Sequence, residues 1–339
     1  FKHLKSDLPS GLVVFLVALP LCLGIAMASG APLFSGIISG IIGGIVVGSL
    51  SNSHVSVSGP AAGLTAIVLT AISTLGSFEL FLTAVVIAGM IQLILGFLGA
   101  GSISNYFPNN VIEGMLAGIG IIIFLKQIPH AFGYDRDTEG DLDFIEKSGS
   151  NTFSTLMESF EYIHPGASLI TLVSLIILII WDRVPALKKL KVLPGALVAV
   201  LSGIVLNEIF IQTGSSLAIK NEHLVSLPVL SSFSEIHTLF VFPDFSAISS
   251  GAVWTVAVTL AVVASIETLL CIEAGDRMDK YKRYSSTNRE LKAQGIGNML
   301  SGLLGGLPMT SVVVRTTANV NAGARTKLSA VFHGILLLV

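Results

Sequence analysis

Long apolar runs alternate with short polar breaks along the whole chain, at approximately 10–29, 33–50, 60–76, 79–100, 110–130, 166–181, 193–212, 248–272, 293–306, 314–323 and 328–339. About 20 apolar residues in a helix cross a hydrocarbon core of about 30 Å. The pattern therefore predicts eleven crossings, two of them short. The polar breaks test that count, because cytoplasmic loops are enriched in Lys and Arg. One break carries Arg183, Lys188, Lys189 and Lys191, and another carries Arg277, Lys280, Lys282, Arg283, Arg289 and Lys292. Both read as cytoplasmic. The break 131–165 instead holds Asp135, Asp137, Glu139, Asp141, Asp143, Glu146, Glu158 and Glu161 against Arg136 and Lys147, and reads as external. With Lys2 and Lys5 inside, every loop falls on its side only if the short segments after Pro60 and around Arg315 each count as a crossing. The first run, from Ser10, is long enough to stay as a span, so no cleavable leader is expected.

Inside the runs, three local patterns stand out. Pro20 removes a backbone donor in the first span and predicts a kink or break. Gly36, Gly40, Gly44 and Gly48 form a smooth i, i+4 ridge on which a neighbouring helix can pack closely; a glycine-lined ion path is the other reading. The third pattern is a pair of broken segments, Val-Ser-Val-Ser-Gly-Pro at 55–60 and Pro-Met-Thr-Ser-Val-Val-Val-Arg at 308–315. Each reads as a short strand followed by a half-helix. Extended backbone at membrane depth needs partners inside the protein, and each strand is the simplest partner for the other. Two half-helix N-termini would then face one another, each worth roughly +0.5 charge with free N–H groups. An inorganic anion is the natural ligand, and interrupted segments in corresponding halves point to a transporter site.

Composition narrows the class further. The chain is 52% hydrophobic and 12% charged, against roughly 25% charged in a soluble domain. A net charge of −2 leaves no footprint for nucleic acid. The two cysteines, Cys22 and Cys271, lie in apolar runs, and no Cys/His metal spacing occurs, so neither a metal nor a cofactor is expected. The absence of HExxH, GxSxG and P-loop patterns argues against an intramembrane enzyme.

Few charges lie deep in the apolar runs. Lys126 sits near an outer end and is expected to reach the interface. Arg315 falls where the second half-helix begins, and Glu267 is deep in the eighth run. Each costs about 2.5 to 3.5 kcal/mol at a helix centre, so each needs a role. One reading is an Arg315–Glu267 structural ion pair. The other sums charges: two helix ends plus Arg315 give about +2, reduced to about +1 by an ionised Glu267. A proton or cation neutralising Glu267 would then favour anion binding, which is the logic of symport.

Several stretches together resemble the SulP family of inorganic anion transporters. They are Asp7-Leu8-Pro9-Ser10-Gly11-Leu12 with Pro20, Ser58-Gly59-Pro60, Asn288-Arg289-Glu290-Leu291 with Gln294-Gly295, Gly305-Gly306-Leu307-Pro308, Arg315-Thr316 through Asn319, and Ala322-Gly323-Ala324-Arg325-Thr326. The resemblance implies an all-α integral membrane fold of seven-plus-seven inverted repeats, a homodimer, and two short strands leading into half-helices. It implies a core domain at 1–105 (first repeat) and 248–339 (second repeat, incomplete), with a gate domain at 106–247. It places the anion site at Leu21, Cys22, Ala61, Ala62, Thr65, Val314, Arg315 and Thr316, and cation coupling at Glu267.

The sequence departs from the family pattern in three ways. Leu21 stands where many members have Gln, and Val314 where many have Ser, so bicarbonate is as much a candidate as sulfate. Spans twelve to fourteen and the cytoplasmic STAS domain lie beyond Val339 in the family pattern, so the chain is expected to be a truncated form. The resulting expectation is secondary active transport of sulfate or bicarbonate, coupled to protons or sodium, in a bacterial inner membrane with the N-terminus cytoplasmic. An uncoupled anion channel or an exchanger is the alternative.

Overall fold

The computed structural model describes residues 3–106, 109–134, 151–184, 187, 194–219 and 239–339. Its helices follow the apolar runs closely. They are α1 (Leu4–Ala28), α2 (Leu33–Leu50), the half-helix α3 (Ala62–Leu75), α4 (Phe78–Phe97), α5 (Asn109–Ala131), the short α6 (Thr152–Ser159), α7 (Pro165–Arg183), α8 (Gly195–Gln212), α9 (Gly251–Met278), α10 (Thr287–Leu304), the half-helix α11 (Val313–Asn321) and α12 (Leu328–Leu338). Among the described residues, α1, α2, α4, α7, α8 and α9 are long and apolar enough to cross a membrane. The acidic positions 135–146 and Lys188, Lys189 and Lys191 lie outside the described residues.

Strand β1 (Ser58–Pro60) pairs antiparallel with β2 (Met309–Ser311), as Ser58 with Ser311, Gly59 with Thr310 and Pro60 with Met309. The two broken segments thus find one another, as the backbone-satisfaction argument requires. Their pairing register has a local two-fold through the Gly59–Thr310 pair. A residue n near β1 maps onto the residue that far along from β2, so Ala62 and Val313, where α3 and α11 begin, are counterparts.

The described residues fall into two compact units, one within 3–116 and 239–339, the other within 117–134 and 151–219. The first contains both strands, and its helices close on one another through glycine. A side chain on Gly36 would collide with the Cys22 carbonyl, and one on Gly44 would stand 2.6 Å from the Gly334 Cα. The glycine ridge therefore packs α2 against α1 and α12. Helices α4 and α10 cross equally closely, since a Cβ on Gly89 would lie 2.5 Å from the Met299 nitrogen and one on Gly295 2.6 Å from the Leu93 nitrogen.

Two sequence expectations need correction. Of the kink or break expected at Pro20, the break does not occur: helix α1 runs unbroken through Pro9 and Pro20. One missing hydrogen bond does not end a helix whose flanking turns are held by neighbours, here α2 against Cys22. Lys126, expected to reach outward, is instead only 7% exposed on α5. In the second unit, Tyr134 donates to Glu158 at 2.6 Å and stacks on Tyr162, while Gly166 leaves room for the Leu217 carbonyl.

Candidate anion-binding site

The strand pair is held by side chains projecting from the helices around it. Val312 N–H bonds the Val57 carbonyl at 2.9 Å, extending the ladder by one pair. Met309 and Ser311 sit at the alternate positions, whose backbone groups point away from the partner strand. Asn298 on α10 meets Met309 twice: its Oδ1 accepts from the Met309 N–H at 2.7 Å and its Nδ2 donates to the Met309 carbonyl at 3.1 Å. A side-chain amide here does what a third strand would do. Nδ2 also donates to Gln92 Oε1 at 2.6 Å, and Gln92 Nε2 donates to Ser265 at 3.3 Å.

One turn earlier on α10, Gln294 donates to Ser58 of β1 at 2.7 Å and to Glu290 at 3.0 Å, and Glu290 accepts from Ser51 at 2.5 Å. Ser39 and Ser301 both donate to the Leu307 carbonyl, at 2.8 and 2.7 Å. Pro60 occupies a position that faces outward, where its missing donor takes nothing from the ladder.

From this platform the two half-helices leave in opposite directions, and neither N-terminus has a side-chain cap. Ala61 and Val312, the residues just before them, are extended, with φ/ψ of −101/122 and −114/118. Thr65 turns inward and its hydroxyl donates to the Ala62 carbonyl at 2.7 Å. Its counterpart Thr316 accepts instead from the Val57 N–H at 3.2 Å, and Asn319 donates to the Val55 carbonyl at 2.8 Å. The residue symmetric to Val57 is Pro308, which has no N–H, so Thr65 has no equivalent bond to make.

The same two-fold pairs Arg315 with Leu64, and this is the main chemical asymmetry of the site. Arg315 is wholly buried; its Nη2 donates to Cys22 Sγ at 3.3 Å, while Nε and Nη1 have no hydrogen-bond partner. The guanidinium lies so close over Gly59 that a Cβ there would collide with Nη1. Opposite Gly59 across the ladder stands Thr310, whose hydroxyl donates to the Ser311 carbonyl at 3.1 Å and lies near the Glu267 carboxyl. Glu267 Oε1 would lie 3.1 Å from a Cβ on Gly63, at the start of α3, and its Oε2 is buried without a partner. Among the described residues no ion pair joins Arg315 to Glu267, which removes the structural ion-pair reading.

Of the residues expected at the site, Cys22 and Arg315 meet directly. Ala61, Ala62 and Thr65 lie at the start of α3 beside the Glu267 carboxyl, and Val314 and Thr316 flank Arg315 on α11. Leu21 is half-buried beside Cys22 on α1. Reasoning from the sequence met Gly59 only within the Ser58-Gly59-Pro60 motif and missed Gly63, Gln92 and Asn298. A signal for part of this existed: Glu290, Gln294, Asn298 and Ser301 share one face of α10 and are all buried. We expect Asn298→Ala to strand the Met309 N–H and carbonyl, at about 1 to 3 kcal/mol for each group. Thermal melting of the purified protein checks this; an unchanged melting temperature would contradict the clamp.

A membrane-embedded helical chain in which two antiparallel strands feed two half-helices defines an inverted-repeat secondary-transporter fold. The chain belongs to the sulfate permease family, whose model matches residues 4–339. It is 29% identical to the YvdB protein of Bacillus subtilis, covering 100% of this chain and 60% of that one. It is 28% identical to the bicarbonate transporter BicA of Picosynechococcus, covering 100% of this chain and 57% of that one. The chain thus spans about 60% of the length of these relatives. Among solved structures, the transmembrane domain of a cyanobacterial BicA matches with a TM-score of 0.65 at 27% identity, over 100% of this chain and 82% of that one. SLC26A9 shares the fold with a TM-score of 0.62 at 16% identity, over 98% of this chain and 53% of that one. These relatives are named as transporters or share their fold, so the enzyme reading is set aside.

Proposed function

We propose that the chain is the anion-binding part of a secondary active transporter for a small inorganic oxyanion, sulfate or bicarbonate, coupled to a proton or sodium ion. The observation that carries this is the unpaired, buried Arg315 beside two uncapped half-helix N-termini. A buried cation with no ion-pair partner among the described residues, beside two helix N-termini, favours an anion. The ligands proposed are the N-termini at Ala61, Ala62 and Thr65 and at Val314, Arg315 and Thr316, bordered by Leu21 and Cys22. Glu267, with one carboxyl oxygen unpartnered, is the coupling group. Residues 1–105 and 248–339 act as the core and 106–247 as the gate, in a homodimer of the bacterial inner membrane with a cytoplasmic N-terminus. The relatives named for bicarbonate and, in plants, for sulfate support the substrate class.

Flux into proteoliposomes tests the reading. A proton or sodium gradient is expected to drive accumulation of labelled sulfate or bicarbonate against its own gradient. Flux indifferent to every cation gradient would leave only a channel or exchanger.

A further inference from the structure

We infer that the rim formed by the start of α10 and the end of α4 binds the headgroup of an anionic phospholipid. Arg289 and Lys292 stand three residues apart on α10, so they share one face of the helix. Arg289 is exposed and its Nε donates to the Leu50 carbonyl at 2.9 Å, at the end of α2. The Lys292 ammonium lies 4.3 Å from the centre of the Phe97 ring. Asn288 accepts from the Gly101 N–H at 2.8 Å, which holds the chain beyond α4 against the same turn of α10.

The two cations are thus bracketed by apolar surface: Leu50 on one side, and on the other Ile94, Phe97 and Leu98, which are 56%, 70% and 77% exposed. Apolar residues grading into a cationic pair is the chemistry of a phospholipid, with acyl chains along α4 and a phosphodiester between the cations.

The neighbouring acids do not compete for the pair. Glu290 is buried and accepts from Ser51 and Gln294, Asp279 holds Arg283 at 2.7 Å, and Glu273 holds Arg277 at 3.4 Å. Among the described residues no ion pair engages Arg289 or Lys292. The loop charges place this rim on the cytoplasmic side, where anionic lipid concentrates. The contact reaches the transport machinery through Leu50, since α2 leads through 51–57 into β1.

The test is electron spin resonance on the full-length protein in phosphatidylcholine vesicles, with spin-labelled phosphatidylglycerol or spin-labelled phosphatidylcholine as the probe. Wild type is expected to hold phosphatidylglycerol more strongly than phosphatidylcholine by about fivefold per engaged cation. Lys292→Gln, which leaves the Arg289–Leu50 bond in place, is expected to lose about fivefold of that preference, and Arg289→Gln with Lys292→Gln to lose all of it. Lys280→Gln with Lys282→Gln, outside the rim, is expected to keep it. Three results would overturn the inference. One is equal retention of both lipids by wild type. Another is an equal loss in the Lys280 and Lys282 variant, which means a diffuse field. The third is displacement of the lipid label by millimolar inorganic phosphate, which makes the ligand a free anion.

Discussion

Replacing Arg315 by leucine is expected to raise the KM for the transported anion roughly thirtyfold. At an effective dielectric constant of about 20 a unit charge contributes about 4 kcal/mol at about 4 Å and about half that at twice the distance, and the smaller value corresponds to about thirtyfold. Leucine is the informative choice because Leu64 already occupies the two-fold-related position on α3. The variant makes the two half-helices alike and removes a buried cation that lacks an acidic partner, so folding is not expected to suffer. Gly59→Ala tests the same group from the other side. Its Cβ would collide with Arg315 Nη1 and must displace the guanidinium or shift β1, so its KM should rise as well. Initial flux into proteoliposomes over a range of anion concentrations measures both. An unchanged KM in Arg315→Leu would remove Arg315 from the site.

The second large effect is expected at Glu267. Glu267→Gln is nearly isosteric and fixes the side chain in an uncharged state, as a bound proton would. The variant should still pass anion down its gradient, but a proton or sodium gradient should no longer drive accumulation. Coupling is reciprocal: if the cation raises anion affinity by some factor, the anion raises cation affinity by the same factor, and both are lost with the acid. Anion binding measured with and without the cation therefore reads the same loss independently of flux. If Glu267→Gln abolishes binding yet leaves the cation dependence of any residual flux intact, the residue holds Gly63 and Thr310 in place and couples nothing.

The Glu267 expectation rests on geometry that the charge pattern alone did not provide. Summing deep charges left two readings of Arg315 and Glu267, an ion pair or two separate roles, because a sequence carries no distance between residues 48 positions apart. The folded chain separates them: Arg315 folds over Gly59 toward Cys22, whereas Glu267 lies against Gly63 at the start of α3. Pro20 shows the opposite case. Its local chemistry is legible, yet α1 continues because α2 packs against its next turn, and that support comes from residues distant in the chain.

By itself the sequence determined what depends on local composition and periodicity. Apolar runs marked the spans, because each membrane helix satisfies its own backbone, with ends off by up to six residues, as at Leu4, Met278 and Thr287. The β-branched and hydroxyl-rich breaks marked both strands, because extended backbone at depth has no other explanation compatible with the loop charges. Only the tertiary structure decided which polar side chains hold those strands. Asn298 and Gln294 lie on the polar face of α10 and Gln92 inside the apolar α4; their role exists only once α10, α4 and β2 are brought together. The same holds for the asymmetry of the site. That Arg315 faces a glycine while the carboxyl of Glu267 faces the residue paired with that glycine follows from the register of a three-residue ladder, which is set by contacts about 250 residues apart in the chain.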